Sequence, residues 1–350
     1  MRVALVGHRG HALCEPFAGG LESMTFHLVQ GLRARGIEVT VLAGSGIDPT
    51  LGAAEVPLQD LAISAAAQAD SSMPSEVFLA DHYFYLQSML WLARETGVSV
   101  VHNNSLHYLP IALSESLRCA TLTTLHTPPT PWIETAIGLA TDPRQAFAAV
   151  SRHTSQAWEH ACSSSVVYNG VDTQQWRMGP GGPDLVWSGR VVPEKAPHLA
   201  IDIAAAAGRR IRLAGPLSDL AYYEREIVPR LGDSAVYVGH LSQARLTDLV
   251  GASAVALVTP QWDEPYGLVA AEALSCGTPV LAFDRGGLTE VIDPTCGVLA
   301  PAQDIAAAVD ALPFAEALDR RAARHRAERH CSLEVMVSSY VDLYEELAVA

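Results

Sequence analysis

The sequence contains almost no lysine. Of its 23 lysine and arginine residues, Lys195 is the only lysine. An ammonium is a compact point charge and a guanidinium is a planar fork, so the two are not interchangeable where one cation must fit against a phosphate. Codon bias would explain why lysine is scarce, but it would not explain why this one remains. Lys195 is therefore a candidate functional residue.

Positive charge and long apolar runs are also scarce. The 38 acidic residues give a formal net charge of −15, which argues against nucleic acid as a partner and against docking on an anionic membrane. No apolar run reaches the length of a membrane span, and the first seven residues predict a strand rather than a signal peptide. We expect a cytoplasmic protein without a membrane span.

The six cysteines are scattered and include no Cys-x-x-Cys pair. This distribution predicts reduced, mostly buried thiols in the cytosol, with neither a zinc site nor a disulfide framework. The cysteines are Cys14, Cys119, Cys162, Cys276, Cys296 and Cys331.

The chain is long enough for two domains. Its 350 residues are 49% hydrophobic, and strand-like and helix-like segments alternate along it. We predict an α/β fold in which two Rossmann-like domains face each other across a cleft. The predicted boundaries are 1–172 for the first domain, 173–183 for a Gly/Pro-rich linker, 184–331 for the second domain and 332–350 for a terminal helix.

Residues 259–280 form the most informative stretch. An apolar strand over 254–258 precedes a loop, a helix is predicted over 267–275, and a new strand begins at Val280. Strand, loop, helix and strand make a right-handed crossover, and ligands of open α/β sheets bind at the carboxyl ends of such strands.

Two carboxylates, Glu264 and Glu272, lie in this stretch with seven residues between them. The amides of Tyr266, Gly267 and Leu268 lie between them at the predicted helix N-terminus, where an anion or a sugar hydroxyl is favoured. Carboxylates accept from hydroxyls and amides donate to oxygens, so the set suits a polyhydroxylated ligand. The alternative is a solvated loop acid and a helix-surface acid.

Two cations follow the first strand of the second domain. Arg190 comes after Gly189, and Lys195 lies in the loop that follows. Two fixed cations can stabilise the negative charge of a departing diphosphate without a metal. The alternative is a surface ion pair with Glu194.

The first domain offers weaker signals at the ends of its strands. Gly19 and Gly20 precede a helix and would let the backbone approach a phosphate or sugar, although paired glycines are often only a turn. Candidate residues of an acceptor pocket, with ordinary loop polarity or a structural role as the alternative, are His8, Arg9 and the strand-end His102. There is no Gly-x-Ser-x-Gly hydrolase elbow and no Asp-x-Asp pair, so we expect no metal at the site.

Taken together, these motifs resemble those of the retaining GT-B glycosyltransferases of family 4. The resemblance rests on Glu264 and Glu272 as the Glu-x7-Glu motif, on the flanking Pro, Gly-Leu and Cys-Gly-Thr-Pro, and on the Gly-Arg…Lys and Gly-Gly segments. It covers essentially the whole chain. It implies the GT-B fold, with the C-terminal helix returning to the first domain.

The resemblance also implies an activity. A sugar would be transferred, with its anomeric configuration retained, from a nucleotide diphosphate-sugar to a small soluble acceptor, and UDP is the default nucleotide. A donor phosphate oxygen would take the acceptor's proton on the face from which the leaving group departs. No cofactor and no metal ion would be needed.

The same resemblance assigns roles to individual residues. Glu272 would bind the ribose, Glu264 the sugar hydroxyls, Arg190 and Lys195 the diphosphate, and His126 the sugar near the anomeric centre. The remaining donor-side positions are Gly19, Gly20, Gly189, His240, Leu241, Tyr266, Gly267 and Leu268, and a Gly-Gly-x-x-Glu segment ending at Glu290 would close over the donor phosphates.

Two rival functions remain open. One is a nucleotide-sugar epimerase or a phosphorylase on the same two-domain fold, which an assay for inversion at C2 or for dependence on free phosphate would reveal. The other is a non-catalytic protein that binds a nucleotide-sugar without turnover.

Overall fold

The computed structural model describes residues 1–44, 46–56, 58–72 and 75–349, so five positions inside the predicted first domain and terminal helix, namely 45, 57, 73, 74 and 350, lie outside it. Within the described residues the strands form two sheets. The strands of the first sheet are β1 (Arg2–Val6), β2 (Glu38–Leu42), β3 (Ala54–Glu55), β4 (Val100–Asn103), β5 (Ala120–Leu125), β6 (Gln145–Ala149) and β7 (Ser165–Val166). Those of the second are β8 (Leu185–Ser188), β9 (Ile211–Ala214), β10 (Ala235–Tyr237), β11 (Ala256–Val258), β12 (Val280–Phe283) and β13 (Gly297–Ala300).

Helices cover both faces of each sheet. Those of the first domain are α1 (Gly20–Ala34), α2 (Ala65–Gln68), α3 (Glu76–Leu92), α4 (Leu109–Ala112), α5 (Pro131–Leu139) and α6 (Arg152–Trp158). Those that follow are α7 (Pro197–Ala206), α8 (Leu220–Tyr222), α9 (Gln243–Gly251), α10 (Leu268–Ser275), α11 (Leu288–Val291), α12 (Ile305–Glu316), α13 (Arg320–His330) and α14 (Leu333–Val349). Among the described helices, none combines the length and the apolar character that crossing a bilayer requires.

Both sheets are parallel and doubly wound. The orders are β3-β2-β1-β4-β5-β6-β7 and β10-β9-β8-β11-β12-β13. Each sheet therefore reverses its winding direction once, between β1 and β4 and between β8 and β11, and such reversal points are where ligands bind in open α/β sheets. Central strands such as β1 and β12 are short apolar runs because both of their faces are covered. The predicted α/β fold with two Rossmann-like domains is confirmed.

The C-terminal helix returns to the first domain, as predicted. The chain passes between the domains twice, near Val171 and near Ser332. These two residues form a parallel bridge, so the two passages lie side by side. Helix α14 then packs against α1, and this approach requires Gly31, because a Cβ there would lie 2.5 Å from Val337. Tyr340 and Tyr344 of α14 are completely buried in the core of the first domain.

The surroundings of His102 match the structural role that was the alternative to a place in an acceptor pocket. Its side chain is fully buried, with Nδ1 2.6 Å from the Tyr344 hydroxyl and Nε2 2.8 Å from Thr124 Oγ1. Burial lowers the pKa of His102 to about 3, so the ring is neutral. Both ring nitrogens are used in holding α14 against the sheet, and none is left for a substrate.

The predicted linker of residues 173–183 is packed rather than free. Trp176 is buried, the amide of Gly179 donates to the Cys276 carbonyl, and the amide of Gly181 donates to the Gly251 carbonyl. The segment thus belongs to the surface of the second domain, and the chain crosses between domains near Val171. Helix α5, which sequence patterning did not reveal, begins at Pro131 in the first domain.

We predict that Tyr344→Phe lowers the free energy of unfolding by about 1–3 kcal/mol, because it leaves a buried nitrogen of His102 without its hydrogen-bond partner. Urea unfolding followed by circular dichroism measures the change. Ser339→Ala, at a half-buried position of the same helix whose hydroxyl donates only to the Val335 carbonyl one turn back, is the matched control and should stay within about 0.5 kcal/mol of the parent. Equal effects of the two substitutions would contradict the role assigned to the His102 contact.

Candidate functional site

A cleft of about 310 Å³ lies between the two reversal points. Its walls contain every residue that the sequence predicted to be catalytic or donor-binding. From the first domain these are Gly19, Gly20 and His126, and from the second Gly189, Arg190, Lys195, His240, Leu241, Glu264, Tyr266, Gly267, Leu268 and Glu272. Residues that are far apart in sequence thus meet where two domains face each other.

Helix α10 points its N-terminus into the cleft. Gly267, immediately before the helix, has φ +99°, and a Cβ there would lie 2.4 Å from the Leu288 side chain. Only glycine fits this backbone without strain. The turn leaves the first amides of α10 at the cleft wall, where they can donate to an anion. The Tyr266 ring itself is buried, so this residue offers the cleft mainly its backbone.

Glu272 lies one turn into α10 and lines the floor of the cleft. Its neighbours in the helix, Ala271 and Ala273, are buried, whereas Glu272 itself is partly exposed. Burial disfavours the ionised form and raises the pKa of Glu272 to about 8. Hydroxyl groups of a ligand that donate hydrogen bonds to Glu272 would stabilise its ionised form. A carboxyl with a raised pKa benefits most from this stabilisation.

Lys195 is held by Glu264 and Trp262. Its Nζ lies 2.6 and 2.8 Å from the two Glu264 oxygens and 5.0 Å from the centre of the Trp262 ring. Trp262 Nε1 also donates to Glu264, at 3.0 Å. The Lys195 and Glu264 side chains are only 22% and 13% exposed, so their attraction is stronger than that of a surface pair. Lys195 and Glu264 therefore form one preorganised unit.

Arg190 is the second cation of the cleft. Its guanidinium lies 3.4 Å from Glu194, but this pair is about 40% exposed and therefore weak. The side chain reaches the glycine loop of the first domain, since a Cβ on Gly19 would lie 3.8 Å from Arg190 Cδ. Arg190 therefore forms the ion pair with Glu194 and also lines the cleft.

The glycine loop of the first domain closes the other side of the cleft. Gly20 opens α1, and a Cβ there would lie 3.0 Å from Leu268 at the start of α10. His240 Nε2 lies 3.1 Å from the Phe17 carbonyl oxygen across the domain boundary. The two domains are therefore in contact around the site, and side chains at Gly19 and Gly20 would occupy ligand space.

His126 follows β5 and lines the cleft. Its Nε2 lies 2.9 Å from Asn104 Oδ1, and burial lowers the pKa of His126 to about 3. The imidazole is therefore neutral at physiological pH. A neutral ring suits hydrogen bonding to a sugar hydroxyl and does not supply a positive charge.

Aromatic rings extend from the cleft over the first domain. Leu106 lines the cleft, and the rings of Tyr108 and Trp132 stack 5.2 Å apart close to it in sequence. Phe78 lies 6.1 Å from Trp132, whose exposed fraction is 59%. These rings form an aromatic group that is not part of the cleft wall.

His8 and Arg9 lie outside the cleft wall. They follow β1, and Arg9 forms an ion pair with Asp81 of α3 while its amide donates to the Tyr85 hydroxyl. His8 lies beside Glu22 of α1. The structure therefore does not place these two residues against the donor-side groups.

Sequence reasoning missed the contribution of Trp262 and the hydrogen-bond partners of Glu290. Trp262 could have been suspected only from its position two residues before Glu264. Glu290 accepts hydrogen bonds from the Arg152 and His153 amides at the N-terminus of α6 and from the Tyr168 hydroxyl. The acid expected to close over the donor phosphates thus joins the second domain to a helix of the first.

Two family models match the chain, one for each domain. Residues 18–175 match the model described as Glycosyltransferase Family 4, and residues 172–330 match the model described as Glycosyl transferases group 1. The junction between the two matches falls where the chain crosses between domains near Val171.

Curated relatives carry glycosyltransferase names. A D-inositol 3-phosphate glycosyltransferase of Mycolicibacterium paratuberculosis is 34% identical over 190 residues, which cover 46% of this chain and 43% of that protein. One of Gordonia bronchialis is 28% identical and covers 97% of this chain and 88% of its own. The first of these matches therefore spans less than half of the relative's length.

Solved structures share the architecture. The HepE protein of Anabaena, solved in complex with UDP and glucose, superposes with a TM-score of 0.76 at 16% identity and covers 99% of this chain and 100% of its own. At this identity the likeness shows the fold, which is GT-B.

We predict that Glu272 makes the protein less stable as the pH rises from about 5 to 9. Its pKa is about 8 in the folded protein and near the usual glutamate value of 4.5 when unfolded, so the folded state binds more protons in this range. The stability present below pH 4.5 is lost as the pH rises through 8. Glu272→Gln should remove this loss, so the variant's stability relative to the parent should grow with pH in urea unfolding. A constant difference from pH 6 to pH 9 would refute the raised pKa.

Proposed function

We propose that this chain, which has the GT-B fold, is a glycosyltransferase that transfers a sugar from a UDP-sugar to a small soluble acceptor with retention of anomeric configuration. The observation that carries the proposal is the convergence of Lys195, Arg190 and the α10 N-terminus on one cleft that also contains Glu264 and Glu272. Positive groups for a diphosphate and carboxylates for hydroxyls are thereby within reach of one ligand.

The nucleotide would lie against the second domain. Glu272 would accept from the ribose hydroxyls, and the base would lie near His240 and Leu241, which line the same wall. UDP is supported by the HepE structure, which contains it within the same fold. Donation by the ribose stabilises the ionised form of Glu272, so nucleotide binding should release a proton near neutral pH.

The diphosphate would lie between Lys195, Arg190 and the first amides of α10. As the sugar–phosphate bond breaks, negative charge develops on the leaving oxygen, and these groups are aimed at it in a partly buried cleft. Lys195 then shares its charge between Glu264 and the phosphate. With two cations and a helix N-terminus in place, we propose that this step needs no metal ion.

Glu264 would orient the transferred sugar rather than attack it. Both of its oxygens already accept hydrogen bonds, from Lys195 and Trp262, which lowers their reactivity towards carbon and leaves lone pairs for sugar hydroxyls. The neutral ring of His126 would contact the sugar from the opposite domain. The acceptor's proton would go to a donor phosphate oxygen on the face that the leaving group vacates.

The acceptor would enter over the first domain. The Tyr108 and Trp132 rings near Leu106 offer a surface on which a ring-shaped acceptor can stack. The net charge of −15 argues for a soluble acceptor rather than one in an anionic membrane. The six unpaired cysteines agree with the cytoplasm as the place of action.

We predict that Lys195→Ala lowers kcat by roughly 100- to 1000-fold, because it removes a charge aimed at the departing diphosphate. Arg245→Ala, an exposed cation on α9 of the same domain, is the matched control and should keep the parent's kcat. Steady-state release of UDP measures both. Near-normal turnover of Lys195→Ala would contradict a role of Lys195 in stabilising the departing diphosphate. Full activity of Lys195→Arg would show that position 195 does not require an ammonium group.

We predict that hydrolysis of UDP-α-glucose, used as a probe donor without an acceptor, first yields α-glucose, because water would attack from the face that the leaving group vacates. Proton NMR within the first turnovers, before mutarotation, distinguishes the anomers. β-Glucose as the first product would contradict retention. A C2-epimer of the donor sugar, or cleavage that requires free phosphate, would contradict glycosyl transfer itself.

A further inference from the structure

A second cluster of chemical groups lies in the first domain, at the loop that follows β1. This loop is fixed at both ends: the Arg9 amide donates to the Tyr85 hydroxyl, and the Leu13 amide donates to the Gly46 carbonyl. Leu13 is also buried. The loop therefore presents its side chains to α1 in a defined arrangement, and His8 and His11 both belong to it.

Glu22, in the first turn of α1, is a buried carboxylate. The residue is only 5% exposed, and within the described residues His8 is the only basic side chain within 4 Å of its oxygens. Burying a carboxylate costs free energy unless it is paired, hydrogen-bonded or bound to a metal. An acid in the first turn is favoured by the helix dipole, but that term amounts to about 1 kcal/mol or less and does not replace a partner.

One ring nitrogen of His8 has no hydrogen-bond partner among the described residues. Its Nδ1 is buried, forms no hydrogen bond with the described residues and lies 3.6 Å from Glu22 Oε1. This distance is too long for a good hydrogen bond. It is close to the separation of about 3.4 Å that two ligand atoms adopt when each lies about 2.1 Å from one tetrahedral metal ion.

His11 completes a set of three. Its ring stacks on that of His8, with centroids 5.4 Å apart and planes 23° apart. One ligand atom from each of His8, His11 and Glu22 lies within 4.8 Å of the other two. His11 is exposed, so its side chain can adjust to a bound ion.

We propose that His8, His11 and Glu22 bind one divalent transition-metal ion, with Zn²⁺ as the best match. Two imidazole nitrogens and one carboxylate oxygen form a donor set of zinc sites that keep a fourth position open for water or an oxygen ligand. The site adjoins the cleft at the glycine loop, since a Cβ on Gly19 would lie 3.2 Å from Glu22 Oε2, and none of its three ligands is among the residues that line the cleft. The sequence predicted no metal site, because it contains neither an Asp-x-Asp pair nor a Cys-x-x-Cys pair. The proposed zinc site departs from that prediction.

Zinc binding by the whole chain tests the proposal. Isothermal titration of metal-free protein with ZnCl₂ should show one site, and both His11→Ala and Glu22→Gln should lower its affinity by more than ~10-fold, the loss that even an outer partner of a ligand causes. His11 is exposed, so this variant should fold normally. Co²⁺ should give the visible absorption bands of a four-coordinate site in the parent and lose them in His11→Ala.

Two control variants make the result specific. His160→Ala removes another exposed histidine near a carboxylate, 3.3 Å from Glu134, and Cys14→Ser removes the thiol that is closest to His11 in sequence. Both should keep the zinc affinity of the parent. The proposal is overturned if the parent binds no Zn²⁺, if His11→Ala binds it as tightly as the parent, or if Cys14→Ser abolishes binding. Because the readout is the metal itself, it does not depend on the proposed sugar transfer.

Discussion

The pairing of Lys195 with Glu264 is the interaction on which the proposed chemistry depends. It places the only ammonium side chain of the sequence at the carboxyl end of β8 and a carboxylate at the end of β11, across the reversal point of the second sheet. Each group would be costly to bury alone, and together they are preorganised. A diphosphate-sugar would offer a phosphate to Lys195 and hydroxyl donors to Glu264. Each of these groups would be a better partner for that side chain than the ion pair provides.

This pair would be of little use without the first domain. Three contacts hold the domains together. Each uses a residue that the sequence motifs predicted to contact a donor or an acceptor. His240 contacts the Phe17 carbonyl, Glu290 caps α6, and His102 holds Tyr344 of the returning helix α14. The glycine loop is consequently held opposite α10, and the cleft has a defined width. Precise spacing of this kind is what positions a donor and an acceptor for reaction.

Local chemistry explains what could be predicted from the sequence. Gly267 before an apolar helix and Arg190 after a strand specify their own backbone surroundings, so residues that line the cleft could be predicted one by one from the sequence. Surroundings that could not be predicted are those of groups whose partners are remote in sequence. His102 lies in a strand-end pattern that suits a ligand, yet its partner Tyr344 is 242 positions away. The closeness of His8 to Glu22 likewise depends on how the loop after β1 folds onto α1.

The most direct test of the central claim is thermal-shift binding of UDP, GDP, ADP and TDP, each with and without EDTA. A donor site built from Lys195, Arg190 and the α10 N-terminus predicts a rise in Tm with UDP that EDTA does not change. A rise that EDTA abolishes would show that the diphosphate is held through a metal. No rise with any of the four nucleotides would contradict the account, because the groups lining this cleft converge on that ligand.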